Sequence, residues 1–169
     1  MVNKIESAAL NSEIQIVAFM VGGEVFGVFI NSVKEIIKPT KIMPVPKAPV
    51  FIEGVINLRG EVIPVVDLRN RFEFKKKGDI YSERIIIVSF ERKKMGLYVD
   101  KVLEVFVQKT PNLLKIPSTL KSEETVYINA LFTYKGELGI LLKLEDLLTS
   151  KEKLALNKIK IGAYNDKKN

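Results

Sequence analysis

The chain has no cysteine and no histidine among its 169 residues. The first absence excludes disulfides and thiolate metal sites; the second excludes imidazole general bases and histidine-anchored triads. No apolar run is long enough to span a bilayer, and Met1 to Glu13 lacks the basic-then-apolar order of a signal peptide. A cytoplasmic location is therefore expected. A Gly-rich phosphate loop is also missing, since neither Lys-Ser nor Lys-Thr follows Gly22-Gly23. The acidic pair Glu145-Asp146 has no third carboxylate at ligand spacing. No catalytic residue, cofactor or metal is expected. A hydrolase using carboxylates alone is the enzyme class left open, and no constellation of Glu and Asp supports it.

What the chain does have is a 47% hydrophobic composition, enough to bury a core, and a net charge of +7. Such a charge raises a basic, small-barrel nucleic-acid-binding protein as an alternative, because clustered Lys and Arg release counterions from phosphate. The basic runs are Lys75-Lys76-Lys77, Arg92-Lys93-Lys94 and Lys151 to Lys168. All lie in linker, turn or terminal positions, and only Tyr164 places an aromatic ring within them, so solvated loop charge is the preferred reading.

From Glu13 to about Lys143 short runs rich in Val, Ile, Phe and Tyr are punctuated by Gly, Pro and charged pairs, the pattern of strands and hairpins. Ile14 to Val21 is expected to pair with Val25 to Ile30 across Gly22-Gly23-Glu24, and Val55 to Leu58 with Val62 to Val66 through Arg59-Gly60-Glu61. Ile85 to Phe90 pairs likewise with Met95 to Val99, and Val126 to Tyr134 with Leu138 to Leu142. A short helix is expected from Val33 to Lys38, capped by Asn31 or Ser32 and stopped by Pro39. Another turn is expected at Leu144 to Leu148, and a tail helix capped by Ser150 with Leu154, Ile159 and Ile161 on one side. Asn165 to Asn169 are expected to be disordered.

The chain also resembles itself. Gly27 to Ile36 aligns without gaps on Gly96 to Val105, and Leu58-Arg59-Gly60-Glu61-Val62 on Tyr134-Lys135-Gly136-Glu137-Leu138, with Val65-Val66 on Leu141-Leu142. Recurrence in the same order indicates a duplicated unit of about five short strands, which closes into a small barrel without exposed edges. The expected architecture is all-β: two small five-stranded barrels packed along an apolar face, with short helices at the connections and the C-terminus. The first barrel is expected over residues 14–78, its first strand able to pair with the second barrel, the second over 79–148, and a basic, partly helical tail over 149–169. The hinge is expected near Glu73 to Asp79.

The strongest local signal is Pro44-Val45-Pro46 followed by Phe51-Ile52-Glu53-Gly54-Val55-Ile56-Asn57-Leu58-Arg59-Gly60-Glu61-Val62-Ile63-Pro64-Val65-Val66-Asp67-Leu68-Arg69. Gly60 allows a turn, and Pro64 suits only an edge or an unpaired ladder position. Arg59 reads either as a solvated or turn-clamping charge or as a donor fork for a carboxylate, of a partner or of Glu35. The run Gly54 to Gly60, with the Val62 to Leu68 segment after it, resembles the hallmark of the CheW family of chemotaxis coupling proteins, and the resemblance extends from about Glu13 to Leu148.

That resemblance implies SH3-like barrels and a non-catalytic adaptor in two-component signal transduction. It implies two partners, the cytoplasmic tip of chemoreceptors and the regulatory domain of the histidine kinase CheA, at receptor clusters on the inner face of the membrane. No small-molecule substrate and no nucleic acid is implied, and membrane association is only indirect, through receptors. Carried over residue by residue, Val33, Glu35, Gly54, Arg59 and Ile85 are linked to receptor coupling. Ile36 and Asn57 join them as interface candidates, Ile36 beside Glu35 on the expected helix and Asn57 because the second copy has no identical residue.

Overall fold

The computed structural model describes residues 12–75 and 78–154. Ten strands are present: β1 (Glu13–Val21), β2 (Glu24–Phe29), β3 (Val33–Ile37), β4 (Ile52–Leu58), β5 (Glu61–Asp67), β6 (Arg84–Phe90), β7 (Lys93–Val99), β8 (Lys101–Lys109), β9 (Ile128–Tyr134) and β10 (Glu137–Leu142). A single-turn helix α1 (Leu68–Arg71) follows β5, and short 3₁₀ turns fill several connections. The fold is all-β, with the four expected hairpins β1–β2, β4–β5, β6–β7 and β9–β10.

The strands form two five-stranded sheets, in the orders β8-β1-β2-β10-β9 and β3-β6-β7-β5-β4. Adding five to each of β1–β5 and subtracting five from each of β6–β10 turns one order into the other. The two sheets are therefore related copies, but neither coincides with one half of the chain. The first sheet combines β1 and β2 with three strands from the far end of the chain; the second combines β3 to β5 with β6 and β7. A boundary at residues 78 and 79 thus does not separate the barrels, because each half of the chain lends its first hairpin to the other half's last three strands. The detailed registers obey the same relation. Val65 lies opposite Gly96 as Leu141 lies opposite Gly27, and Val33 opposite Val88 as Val102 opposite Phe19.

Each sheet is drawn into a barrel by a bridge from the segment beyond its edge strand. Met43 and Val55 exchange backbone hydrogen bonds of 2.8 and 2.9 Å, and Leu114 and Leu131 bonds of 2.8 and 2.7 Å. Ile16, Val25, Ala130, Phe132 and Leu141 fill the barrel of the first sheet; Ile56, Ile63, Val65, Ile85 and Ile87 fill that of the second. A larger third cluster lies between them, including Val17, Phe19, Phe26 and Val28 from one barrel and Ile86, Val88, Leu97 and Val99 from the other. Alternate residues of β1 and β6 thus point into their own barrel and into the shared core. Both faces are buried, and this is why these strands read as unbroken apolar runs.

Three local expectations are corrected. Residues Val33 to Lys38 are not a helix: a 3₁₀ turn, Ile30–Ser32, leads into strand β3, which pairs with β6. Val33, Ile36 and Ile37 are β-branched, and the open edge of β6 supplies the partners that a two-turn helix lacks. The helix at 150–154 is capped by Thr149, whose Oγ1 accepts from Glu152 N at 3.1 Å, rather than by Ser150. Ile159, Ile161 and Asn165 to Asn169 lie outside the described residues. Pro64 sits within an interior strand, yet opposite Val55 at a non-hydrogen-bonded position of the β4–β5 ladder. The ladder to β7 begins one residue later, so no N–H is missed.

Cleaving the backbone between Lys75 and Gly78 tests the exchange. The two pieces are expected to co-elute in native buffer and to melt as one unit; separation into two folded halves would refute the shared barrels.

Candidate functional site

Strand β3 is the edge of its sheet, and its burial alternates. Val33 packs against the inter-barrel core and Ile37 against the barrel interior, while Ile36 remains 40% exposed. Glu35 accepts a hydrogen bond from Arg59 Nη2, which reaches it from the β4–β5 turn. In that turn Arg59 and Gly60 have φ of 51° and 86°, the two left-handed residues of a type I′ hairpin. Lys135 and Gly136 repeat the geometry in the second copy at 46° and 83°. The turn is thus common to both halves, but its use is not: Lys135 Nζ lies 5.4 Å over the Tyr134 ring, whereas Arg59 crosses to another strand. Asn57 Oδ1 accepts from Gly60 N at 2.9 Å, closing the same turn.

The other candidates are structural. Gly54 is buried with φ of 151°, and a Cβ there would lie 2.2 Å from the Met43 carbonyl oxygen. It allows the segment after β3 to close the barrel beneath the exposed side chain of Met43. Ile85 is fully buried inside that barrel, so its side chain does not face a partner, a correction to its place among the interface residues. The structure therefore brings Glu35, Arg59 and Asn57 to one corner, with Ile36 next along β3 and exposed on the strand's alternate face, and leaves Ile85 inside as packing. On the related edge strand β8, Val105 and Val107 are about half exposed, as is Leu114 beyond it. Each barrel thus carries an apolar edge strand, and only one carries the Glu35–Arg59 pair.

A buried ionic cluster escaped the sequence reading. Arg69, 3% exposed, donates from Nε to Asp67 Oδ1 at 3.1 Å and from Nη2 to Asp67 Oδ2 at 3.2 Å. Its Nη1 reaches Glu83 Oε1 at 2.9 Å and Asp100 Oδ1 at 3.2 Å. The guanidinium lies 4.9 Å over the Tyr98 ring, and Tyr98 donates its hydroxyl to Glu83. Burial alone would lower the pKa of Arg69, but hydrogen bonds to Asp67 and Glu83 and their charges override it and hold the pKa above the ordinary value. Tyr98 is pushed up to about 12, first by burial and then by its bond to Glu83. The only sequence signal was Asp67 and Arg69 two apart at the end of an apolar strand. Glu83 and Asp100 join them only through the fold.

Two barrels locked through a common core, with apolar edge strands and a charged turn at the surface, are the equipment of a protein-binding scaffold. A family model described as CheW-like domain matches residues 15–152. The chain belongs to the CheW-like domain family. It is 30% identical to the chemotaxis protein CheW of Treponema pallidum over 153 residues, spanning 88% of this chain and 90% of that protein. Its identity to the chemotaxis protein CheW of Klebsiella aerogenes is 31% over 153 residues, spanning 89% and 90%. The crystal structure of the scaffolding protein TtCheW from Thermoanaerobacter tengcongensis superposes with a TM-score of 0.77 at 34% identity, covering 85% of this chain and 92% of that one.

Removing Arg69 as Arg69→Met leaves three carboxylates facing one another and is expected to cost about 3–5 kcal/mol in denaturant unfolding. Arg59→Ala breaks an exposed pair and should cost no more than about 1 kcal/mol. In alkali the sign follows from Tyr98. An unfolded tyrosine titrates near pH 10 and the folded one near 12, so its stabilisation is complete below about pH 10 and lost as the pH rises through 12. Absorbance titration should show a late-ionising phenol that Tyr98→Phe removes.

Proposed function

We propose that this chain is a non-catalytic adaptor of bacterial chemotaxis that couples chemoreceptors to the regulatory domain of the histidine kinase CheA. Membership of the CheW-like family carries this reading, and the presence of two related but unequal edges supports it. An adaptor needs two binding surfaces held in fixed relation. The duplicated barrels supply β3, with Ile36, Met43 and the Glu35–Arg59 corner, and β8, with Val105, Val107 and Leu114. In this reading Glu35, Ile36, Asn57 and Arg59 form the receptor-coupling corner, with Val33 and Gly54 supporting it from beneath. Contacts that differ between two receptor states shift the population of active kinase, and no bond is made or broken in the adaptor. Its place is the cytoplasm, at receptor clusters, attached to the membrane only through the receptors. Among the described residues no helix is long and apolar enough to cross a membrane.

Nothing favours the nucleic-acid alternative. Part of the positive charge is matched locally, with Lys94 on Glu61 at 2.9 Å and Lys143 on Asp146 at 2.7 Å.

Co-sedimentation of kinase with receptor-bearing membranes is expected to depend on this chain. Arg59→Glu should preserve the thermal melt while abolishing receptor control of the kinase. Kinase retention that is indifferent to the chain would rule out the adaptor role.

A further inference from the structure

The chain crosses from one barrel to the other twice at related points, once between β2 and β3 and once between β7 and β8. The first crossing is the 3₁₀ turn Ile30–Ser32, which has no side-chain cap hydrogen bond. The second turns at Asp100 and is held on every side. Asp100 N donates to the Met20 carbonyl of β1 at 3.0 Å, and its Oδ2 accepts from Gly22 N in the β1–β2 turn at 2.7 Å. Its Oδ1 accepts from Arg69 at the end of the other barrel. Gly22 itself lies against the Phe74 ring, which a Cβ would approach to 2.4 Å, so the turn is also gripped from the segment after α1.

The clamp has no second copy. In the duplication Asp100 aligns with Asn31, and the residues matching Asp67 and Arg69 are Lys143 and Glu145. There Lys143 pairs instead with Asp146, and both side chains are partly open to solvent. One crossing is therefore pinned by a buried guanidinium, whereas the other has no side-chain cap and is held by apolar packing of Ile30 and Val33 against the shared core. Of the two connections, one carries a directional ionic clamp and the other non-directional contacts.

We infer that Arg69 is the positioning residue of the adaptor: through Asp100 and Gly22 it sets the angle between the barrels, and this angle carries receptor state to the kinase. The inference rests on the adaptor reading. Arg69 itself touches no partner; it acts on the relation between the two edge strands. The plain apolar core between the barrels resists separation but is non-directional, so it fixes rotation less well than a planar donor fork bonded to three carboxylates.

Because the chain has no cysteine, spin labels can be attached at Lys38→Cys, just beyond β3, and Lys109→Cys, at the end of β8 on the other barrel. Arg69→Lys keeps the charge and removes the fork. It is expected to broaden the distance distribution between the labels. Binary affinities for the kinase regulatory domain and for a receptor fragment should stay within about two-fold, as for distant independent sites. Receptor control of kinase in the ternary mixture should fall about five-fold or more, the scale of a lost coupling. Asp100→Asn, which leaves the bonds between Arg69 and Asp67 in place, is the second variant and decides the matter if Arg69→Lys does not fold. An unchanged distribution with unchanged control in a folded variant overturns the inference, whatever the loss in melting temperature. Failure of the unsubstituted chain to bind kinase or receptor would instead strike the functional reading.

Discussion

The rest of the structure depends on burying two hairpins on both faces at once. β1–β2 and β6–β7 each line their own barrel with one set of side chains and present the other set to the opposite barrel. A five-stranded barrel of this size has little interior, and the clusters inside each are small. The larger cluster lies between them, so neither barrel is a self-sufficient unit. Strand exchange reinforces this dependence, because each barrel joins the first hairpin of one half of the chain to the last three strands of the other.

Aromatic packing extends the same joint. Phe72, just past α1, stacks on Phe26 at 5.0 Å and meets Tyr127 at a tilt at 4.9 Å, and Phe74 meets Phe26 edge-on at 6.2 Å. Arg71 adds a bond from Nε to the Leu147 carbonyl at 3.0 Å. The segment leaving β5 thus lies across strands of the first barrel while Arg69, two residues earlier, is held in the ionic cluster of the second. Apolar contacts supply most of the attraction here, and the directional bonds of Arg69 and Arg71 fix which way the barrels face.

Such a frame suits a protein whose task is to hold others. Duplication followed by divergence yields two edges of the same geometry and different chemistry. Ile36 with the Glu35–Arg59 pair is on one, Val105 and Val107 are on the other, and Lys135 is diverted to its own Tyr134. Turn geometry was retained in both copies because a two-residue hairpin needs left-handed residues at fixed places, whereas the side chain projecting from the turn was free to change.

Short-range patterns were legible in the sequence. The four hairpins, the all-β class, the duplication and the meeting of Arg59 with Glu35 as one of its options all follow from alternation, turn residues and recurrence within a few tens of residues. The β3 segment was misread because Val33 to Lys38 is too short for periodicity to separate helix from strand; the open edge of β6 decided it. Ile85 was linked to receptor coupling only through the family resemblance, and closure of the barrel places its side chain inside. Which hairpin completes which barrel, and the gathering of Asp67, Arg69, Glu83, Tyr98 and Asp100 into one buried cluster, were decided only by tertiary structure. Local sequence specifies strands and turns through φ and side-chain alternation, but the choice of partner strand is made by apolar burial summed over the whole chain.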